Sequence, residues 1–402
     1  MKRKSAAALI MALLMYLIGG QAAASSSQTY SWEQPAYDLR ETGWAMSDII
    51  LDTTSQNGCW AAAAVASYLS SVSVSPGEGE AEELVSELLA EYGSYGSGGT
   101  PEMAANFFAS RIVSVGGLPL RLVRAQWVDR ETQALKRAVV SSGEVYTELY
   151  YDSRYYQQNS FSYYCGVEKA ANHAVTLAGW DDSYPKERFA SSPSADGAFL
   201  VRDSQGAAFG EGGYFWISYE DCSAFSNSVL FQAEEAEISS EPALAPEAGD
   251  IGRFYSQGST LYFARLITAA EDMELKRVGL YTLGESTCQV RLYRTDRLPA
   301  PWVVLPSAAS GVGSLPREGF YTVALKKAFE VKAGETYLVV VCLTASQGET
   351  AGTITLSGSG GNQTGTDGKH WSVPKEMQSG RSFFLKLYGK TTDSDSSGGG
   401  DL

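Results

Sequence analysis

The sequence predicts an α+β fold followed by an all-β region. Three observations lead to this prediction: an alanine-rich apolar helix pattern near residue 60, aromatic and β-branched runs after residue 145, and short alternating runs throughout the last third. Helices followed by strands are typical of an α+β architecture, and several short strands in succession are typical of a β-sandwich. With 402 residues, the chain has room for two domains.

The N-terminus has the pattern of an export signal. Lys2, Arg3 and Lys4 precede an apolar run that ends near Gly19, and small residues at 22–24 offer a cleavage site. The apolar run is shorter than the roughly 20 residues that span a membrane. We therefore predict a signal peptide over residues 1–24, no stable membrane span after its cleavage, and a secreted or extracytoplasmic location (extracellular, cell surface or periplasm).

Residues from about 37 to 231 form the first compositional block, in which helical patterns come before strand-like ones. We predict one domain here, over residues 25–232. Helices are predicted at 58–70, 81–92 and 101–111 from apolar periodicity. Strands are predicted at 145–151, 173–180, 198–202 and 213–219 from β-branched and aromatic residues.

Residues 233–250 are rich in Glu, Pro and Ala and are predicted to be a solvated linker. The strand-like runs that follow predict a β-sandwich over 251–390, at 261–267, 275–282, 288–294, 321–326, 336–343, 353–356 and 383–388. Residues 391–402 are mostly Ser, Gly and Asp and are predicted to be a flexible tail.

Composition excludes some classes of partner. The hydrophobic fraction of 44% suits a chain that buries substantial cores. The net charge of −15 argues against nucleic acid and against anionic membrane surfaces, since both require a basic footprint. No group of residues has the spacing of metal ligands, so no metal or cofactor is predicted.

Cys59 is the first candidate for chemistry. It opens the alanine-rich helix, where the helix dipole and unpaired N–H groups stabilise a thiolate, the reactive form of a cysteine. The chain has only two histidines, and His173 lies at the start of a predicted strand. With five cysteines in an exported chain, at least one is expected to stay unpaired. The other four form two bridges or none: Cys165, Cys222, Cys288 and Cys342.

Several stretches resemble a papain-like cysteine peptidase, specifically the exported bacterial type with a C-terminal lectin-like domain. They occur in the expected order: Tyr37-Asp38-Leu39-Arg40, Gly58-Cys59-Trp60-Ala61, Gly98-Gly99, Asn172-His173-Ala174-Val175, and Gly212-Gly213-Tyr214-Phe215. The resemblance implies a two-lobed peptidase domain with a helical lobe and a β-barrel-like lobe. It also implies that Cys59 is the nucleophile and that His173 is the base and acid.

Two parts of the implied site depart from the family pattern. The family presents Asn in a stretch resembling Asn-Ser-Trp-Gly, whereas the matching residue here is Asp203, which can still accept a hydrogen bond from the imidazole. The family glutamine of the oxyanion hole corresponds in position to Thr53, and Gln56 is the nearest glutamine. Three alternatives are open for the second donor of the oxyanion hole: Thr53 supplies it, Gln56 supplies it, or it is missing. Gly98 and Gly99 match glycines that pair with the substrate backbone.

Two functions follow from the sequence. The first is an exported thiol peptidase that hydrolyses peptides or proteins, its lectin-like domain docking on a glycan or a cell-surface ligand. The second is a pseudoenzyme that keeps the fold as a secreted binding or adhesion protein, motivated by Thr53, Asp203 and Gln205, the last of which replaces the tryptophan of the family pattern. Loss of one oxyanion donor costs on the order of 10²–10³ in turnover, which is compatible with either function.

Overall fold

The computed structural model describes residues 30–42, 50–54, 57–72, 74–93, 98–237, 250–298, 307–357, 362–365, 370–375 and 380–392. The predicted signal peptide, most of the predicted linker and all but two residues of the predicted tail lie outside these ranges. Within the described residues, four α-helices lie in the first half: α1 (Cys59–Ser70), α2 (Glu80–Tyr92), α3 (Pro101–Ala109) and α4 (Thr132–Ser142).

Helix α1 is the buried axis of the first half. Every residue from Trp60 to Ser70 is buried, which explains why the segment is alanine-rich and lacks a polar face. Small side chains let the surrounding strands and helices approach closely. Helix α3 begins where the sequence indicates, because Thr100 caps it by accepting a hydrogen bond from the N–H of Met103 and Pro101 occupies its first turn.

A curved, mainly antiparallel sheet packs against α1. Its central order is β3–β10–β4–β7–β8–β9, and β1 also pairs with β7. The strands are β1 (Ala36–Asp38), β2 (Val113–Val115), β3 (Leu118–Val128), β4 (Val145–Leu149), β5 (Tyr156–Gln157), β6 (Ser162–Tyr163), β7 (His173–Asp181), β8 (Ala198–Arg202), β9 (Tyr214–Ser218) and β10 (Ser228–Glu235).

The second half is built almost entirely of β-strands within the described residues. One sheet has the order β19–β12–β17–β14–β15, and apolar residues from it share a buried cluster with residues from β13, β16 and β21. The strands are β11 (Ile251–Tyr255), β12 (Thr260–Thr268), β13 (Met273–Thr282), β14 (Ser286–Tyr293), β15 (Ala309–Leu315), β16 (Gly319–Val331), β17 (Thr336–Ala345), β18 (Gly352–Ser357), β19 (Asn362–Gly365), β20 (Arg381–Phe383) and β21 (Leu385–Thr391).

The two halves join through backbone pairing and a shared core. Strand β16 pairs with β3, so that Phe320 lies opposite Ala125. Phe320 and Tyr388 belong to the same buried apolar cluster as α1. The Tyr388 hydroxyl also donates to the carbonyl of Ala109 at 2.7 Å. The β-sandwich is therefore packed directly against the helical part of the first half, a contact that the sequence did not predict.

The structure differs from the sequence expectations in a few elements. Helix α4 and several strands were not predicted, among them β3, β10, β11 and β15. Strand β10 continues to Glu235, so the first three residues of the predicted linker are strand, and Glu234 forms ion pairs with Arg121 and Arg277 instead of lying free in solvent. The cause is the long pairing of β10 with β3, which no local pattern in the linker reveals.

The five cysteines all have free thiols in this structure. Cys288 lies opposite Leu343 across the β14–β17 pair, whereas Cys342 lies opposite Gln289. Consecutive residues of a strand point to opposite faces, so Cys288 and Cys342 project from opposite faces of the sheet. A bridge between these two is therefore excluded without a local rearrangement.

The described residues from Pro35 onward group into one compact unit, and residues 30–34 belong to another. In the smaller unit, the N–H of Gln34 donates to the carbonyl of Ser31 at 3.2 Å, forming a turn. Among the described residues, no helix is both long and apolar enough to cross a membrane.

Candidate active site

Cys59 is the first residue of α1 and is partly buried. Burial disfavours the thiolate, but the hydrogen bond and positive charge of His173 and the N–H groups of Ala174 and Trp60 favour it. Together these interactions outweigh the effect of burial, so the pKa of the Cys59 thiol lies below its usual value. The position at a helix N-terminus acts in the same direction.

His173 is the first residue of β7, placed beside Cys59 by the packing of α1 on that strand. Nε2 of its ring lies 2.9 Å from Oδ2 of Asp203. Burial lowers the pKa of His173, but hydrogen bonds and charge interactions with Asp203 and Cys59 outweigh it and raise the pKa to about 10. The imidazolium form is therefore favoured beside a thiolate.

Asp203 follows the last residue of β8, and its side chain is fully buried. Its N–H donates to the carbonyl of Gly213 at 2.9 Å. The preceding residue, Arg202, forms a buried ion pair with Glu144 at 2.7 Å. These contacts fix the backbone on which Asp203 is presented to the histidine.

An aromatic side chain covers the histidine. The ring centroids of Tyr151 and His173 are 5.8 Å apart. Asn172 holds Tyr151 in place: its Oδ1 accepts from the Tyr151 N–H at 2.6 Å, and its Nδ2 donates to the Tyr151 carbonyl at 3.1 Å. Gln205 stands where the family has a tryptophan, so Tyr151 supplies an aromatic wall from another part of the chain. The aromatic-rich segment 146–164 was the only sequence signal for it.

Of the two candidates for the second oxyanion donor, Thr53 and Gln56, the structure describes only Thr53. Thr53 lines the cleft beside Cys59, but its N–H donates to the Ser204 carbonyl at 2.9 Å and its hydroxyl donates to the Ser204 hydroxyl at 3.2 Å. Its side-chain donor is thus already engaged. Gln56 lies outside the described residues.

Gly98 and Gly99 both line the cleft. Gly98 has φ of +83°, a conformation that favours glycine. The backbone of Gly99 lies against the indole of Trp60, and a Cβ on Gly99 would overlap that ring. Gly99 therefore allows the close approach of its backbone to Trp60, next to Cys59.

The cleft has a volume of about 820 Å³ and contains Cys59 and His173. The candidates Thr53, Gly98 and Gly99 also line it, whereas Asp203 lies buried behind the histidine. Sequence reasoning missed two further lining residues, Glu102 and Asn227. Tyr146, Glu148 and Tyr151 also line the cleft, and they belong to the aromatic-rich segment 146–164, whose family-like composition indicates packing and a cleft wall. Within the described part of the chain, no group of three or more His, Cys, Asp or Glu side chains has the arrangement of a metal site.

Comparisons with known proteins agree with this fold. Residues 121–232 match the family model of the papain family cysteine protease, and residues 246–365 match that of the lectin-like domain. The first match includes His173 and Asp203 but begins after Cys59. No curated protein sequence matches the chain.

Two solved structures of Cwp84 align with nearly the whole chain, each with a TM-score of 0.72 and 18% sequence identity. One, a clostridial cysteine protease after propeptide cleavage, covers 89% of this chain and 99% of its own. The other contains the cysteine protease and lectin-like domains of this surface-layer-associated protein of Clostridium difficile, and covers 90% of this chain and 89% of its own.

At that identity, the structural likeness concerns the fold. The predicted fold class, an α+β papain-like domain followed by an all-β sandwich, is confirmed. The resemblance to a papain-like peptidase with a lectin-like domain is also confirmed, by the two family matches together with these structures.

Proposed function

We propose that this chain is an exported thiol peptidase that cleaves peptide bonds through an acyl-enzyme on Cys59. The observation that carries the proposal is the chain of contacts from Cys59 to His173 and from His173 to Asp203, at the edge of an open cleft. A nucleophile, a base and a residue that orients the base are what covalent acyl transfer requires.

In this mechanism the Cys59 thiolate attacks the carbonyl carbon of the scissile bond. The His173 imidazolium then gives its proton to the departing amine, and the acyl group stays on sulfur as a thioester. A water molecule, deprotonated by the now neutral His173, hydrolyses the thioester and restores the thiol. Asp203 keeps the imidazole oriented and stabilises its positive charge through the 2.9 Å contact with Nε2.

The N–H of Cys59 supplies one donor to the oxyanion of the tetrahedral intermediate. We assign the second donor to Gln56, because the Thr53 hydroxyl already donates to Ser204. Gly98 and Gly99 would pair with the substrate backbone along the cleft. These hydrogen-bond donors to the oxyanion are expected to account for a large share of the rate enhancement over the uncatalysed reaction.

Export is part of the same proposal. It is supported by the signal-peptide pattern of residues 1–24 and by the surface-layer association stated for Cwp84. The lectin-like domain would then hold the peptidase near a glycan or another surface polymer. Mass measurement of the mature chain in the culture medium or cell-wall fraction tests this: a chain that begins near residue 25 is expected, and an intact N-terminus retained in the cell contradicts it.

The decisive test is labelling of the mature protein with an epoxysuccinyl thiol-peptidase inhibitor. We expect fast, stoichiometric modification of Cys59, and at least 100-fold slower modification in His173→Ala. Peptide mapping identifies the labelled cysteine, with Cys342 as an internal reference because its thiol is also partly exposed.

A second function has one observation in its favour. The engaged hydroxyl of Thr53 leaves the oxyanion hole without the side-chain donor that this position provides in the family. A protein that binds peptides or glycans without cleaving them would label slowly at Cys59, at the rate of Cys342, and would show no hydrolysis. That result would favour the binding protein over the peptidase.

A further inference from the structure

One wall of the cleft carries two carboxyl groups. Glu102 on α3 and Glu148 on β4 both line it, although 46 residues of chain separate them. Glutamate side chains ordinarily carry a negative charge at neutral pH. Among the described residues that line the cleft, none is a lysine or an arginine, and the only basic side chain is His173. The cleft is thus acidic beside its nucleophile.

Glu148 is held close to Cys59 by the sheet. It lies opposite Ala174 in the β4–β7 pair, and Ala174 directly follows His173 in the chain. The hydroxyl of Tyr146 donates to Oε1 of Glu148 at 2.7 Å, which fixes the carboxyl group and leaves its other oxygen for a ligand. Burial and then the nearby charges of Glu148, Cys59 and Glu102 raise the pKa of Tyr146, so this hydroxyl stays a donor.

Glu102 reaches the same wall from the helical side. Its Oε1 lies 3.0 Å from Nη2 of Arg253, which belongs to the β-sandwich. The same guanidinium contacts Oε1 of Glu318 at 2.7 Å. One guanidinium is therefore shared between two carboxyl groups, of which only that of Glu102 lines the cleft. Arg253 positions Glu102, whereas within the described part of the chain Glu148 forms no ion pair and its carboxyl group accepts from the Tyr146 hydroxyl.

We propose that this wall binds a basic side chain of the peptide substrate, Lys or Arg, with Glu148 as the principal specificity-determining residue and Glu102 as its support. The inference rests on the proposed function, because it names the substrate class of the same cleft. An apolar side chain in this place would displace water from both carboxyl groups without replacing their hydrogen bonds. A charged amine or guanidinium satisfies them instead. The net charge of −15 also favours the approach of basic peptides.

The test uses fluorogenic peptides that differ at one position, with lysine or the uncharged norleucine at each of the three residues before the scissile bond. At one of these positions we expect kcat/KM to be at least about 10-fold higher for lysine than for norleucine. Glu148→Gln, which keeps an oxygen for the Tyr146 hydroxyl, is expected to abolish this preference. Glu102→Gln is expected to weaken it. Glu187→Gln removes the same charge from an exposed site outside the cleft and is expected to leave the preference intact.

Equal rates for lysine and norleucine at all three positions, or a lysine preference that persists in Glu148→Gln, would overturn the inference. If no peptide is hydrolysed, the proposed function is wrong. Peptide binding then tests separately whether the wall prefers a basic side chain. Fluorescence anisotropy with labelled lysine and norleucine peptides and the Cys59→Ala protein gives that measurement. Binding at least about 10-fold tighter for the lysine peptide, lost in Cys59→Ala/Glu148→Gln, supports the acidic wall; equal binding overturns it.

Discussion

Oδ2 of Asp203 lies 2.9 Å from Nε2 of His173, and the Asp203 side chain is completely buried. The papain-like pattern has a neutral asparagine at this position, so the chain places an acid behind its histidine. A negative charge at this distance stabilises the imidazolium more than a neutral amide does. The pKa of His173, raised to about 10, reflects this together with the contact to Cys59.

Asp203→Asn is therefore expected to move the alkaline limb of the pH profile to lower pH. The reactive ion pair persists until the imidazolium loses its proton, and removing the negative charge makes that loss easier. A shift of about 1–3 pH units is expected for the loss of an adjacent opposite charge. The measurement is the pH dependence of Cys59 alkylation, compared with Asp296→Asn, an exposed acid of the β-sandwich. An unchanged alkaline limb would show that Asp203 does not act on His173 through its charge.

Gly99→Ala is expected to displace Trp60, because a Cβ at this position overlaps the indole. Overpacking of this kind costs about 1–3 kcal/mol of stability. Since Trp60 follows Cys59 directly, alkylation of Cys59 is expected to slow as well. Urea denaturation and alkylation kinetics check both effects.

Gly98→Ala serves as the control for that experiment. Its positive φ costs about 1–2 kcal/mol for alanine, but open space surrounds the position. It is expected to lower stability without changing the near-ultraviolet circular dichroism of Trp60. If both variants perturb the tryptophan equally, the proposed contact between Gly99 and Trp60 is wrong.

Glu144→Ala is expected to destabilise the protein by about 3–5 kcal/mol, because it leaves the buried guanidinium of Arg202 without this carboxylate. The Glu144 and Arg202 side chains are 0% and 4% exposed. The double variant Glu144→Leu/Arg202→Met removes both charges and is expected to recover most of the loss. Denaturant titration measures both. A double variant as unstable as the single one would mean that loss of the ion pair itself, and not the Arg202 charge left without this carboxylate, sets the cost.

Thr53→Val is expected to lower kcat by less than about 10-fold, because its hydroxyl serves Ser204 and not the substrate. Loss of an oxyanion donor costs on the order of 10²–10³ in kcat, and this is the effect expected for Gln56→Ala. Steady-state kinetics of the two variants on one peptide separates the roles. The reverse order of effects would assign the oxyanion donor to Thr53.

Much of the fold was predictable because its signals are local. The alanine-rich pattern after Cys59 predicted a buried helix, and the structure has one at Cys59–Ser70. Runs of aromatic and β-branched residues predicted strands that the structure contains, among them Ala198–Arg202. Helix Thr132–Ser142 was missed because no capping box marks its start, although Gly143, with φ of +80°, marks its end. The start of the linker was misjudged because an acidic composition does not reveal a pairing partner a hundred residues away.

The sequence by itself determined the helix that carries Cys59, the strand that begins with His173, and the resemblance that linked them to Asp203. These features depend on the residue types within short stretches of the sequence, because helix and strand propensity and the periodicity of apolar residues are local properties. Only the tertiary structure decided that Tyr151 covers the histidine, that Glu102 and Glu148 share a wall of the cleft, and that Arg253 reaches Glu102 from the other half of the chain. Such contacts join residues far apart in sequence through strand pairing and core packing, and their geometry exists only once the whole chain has folded.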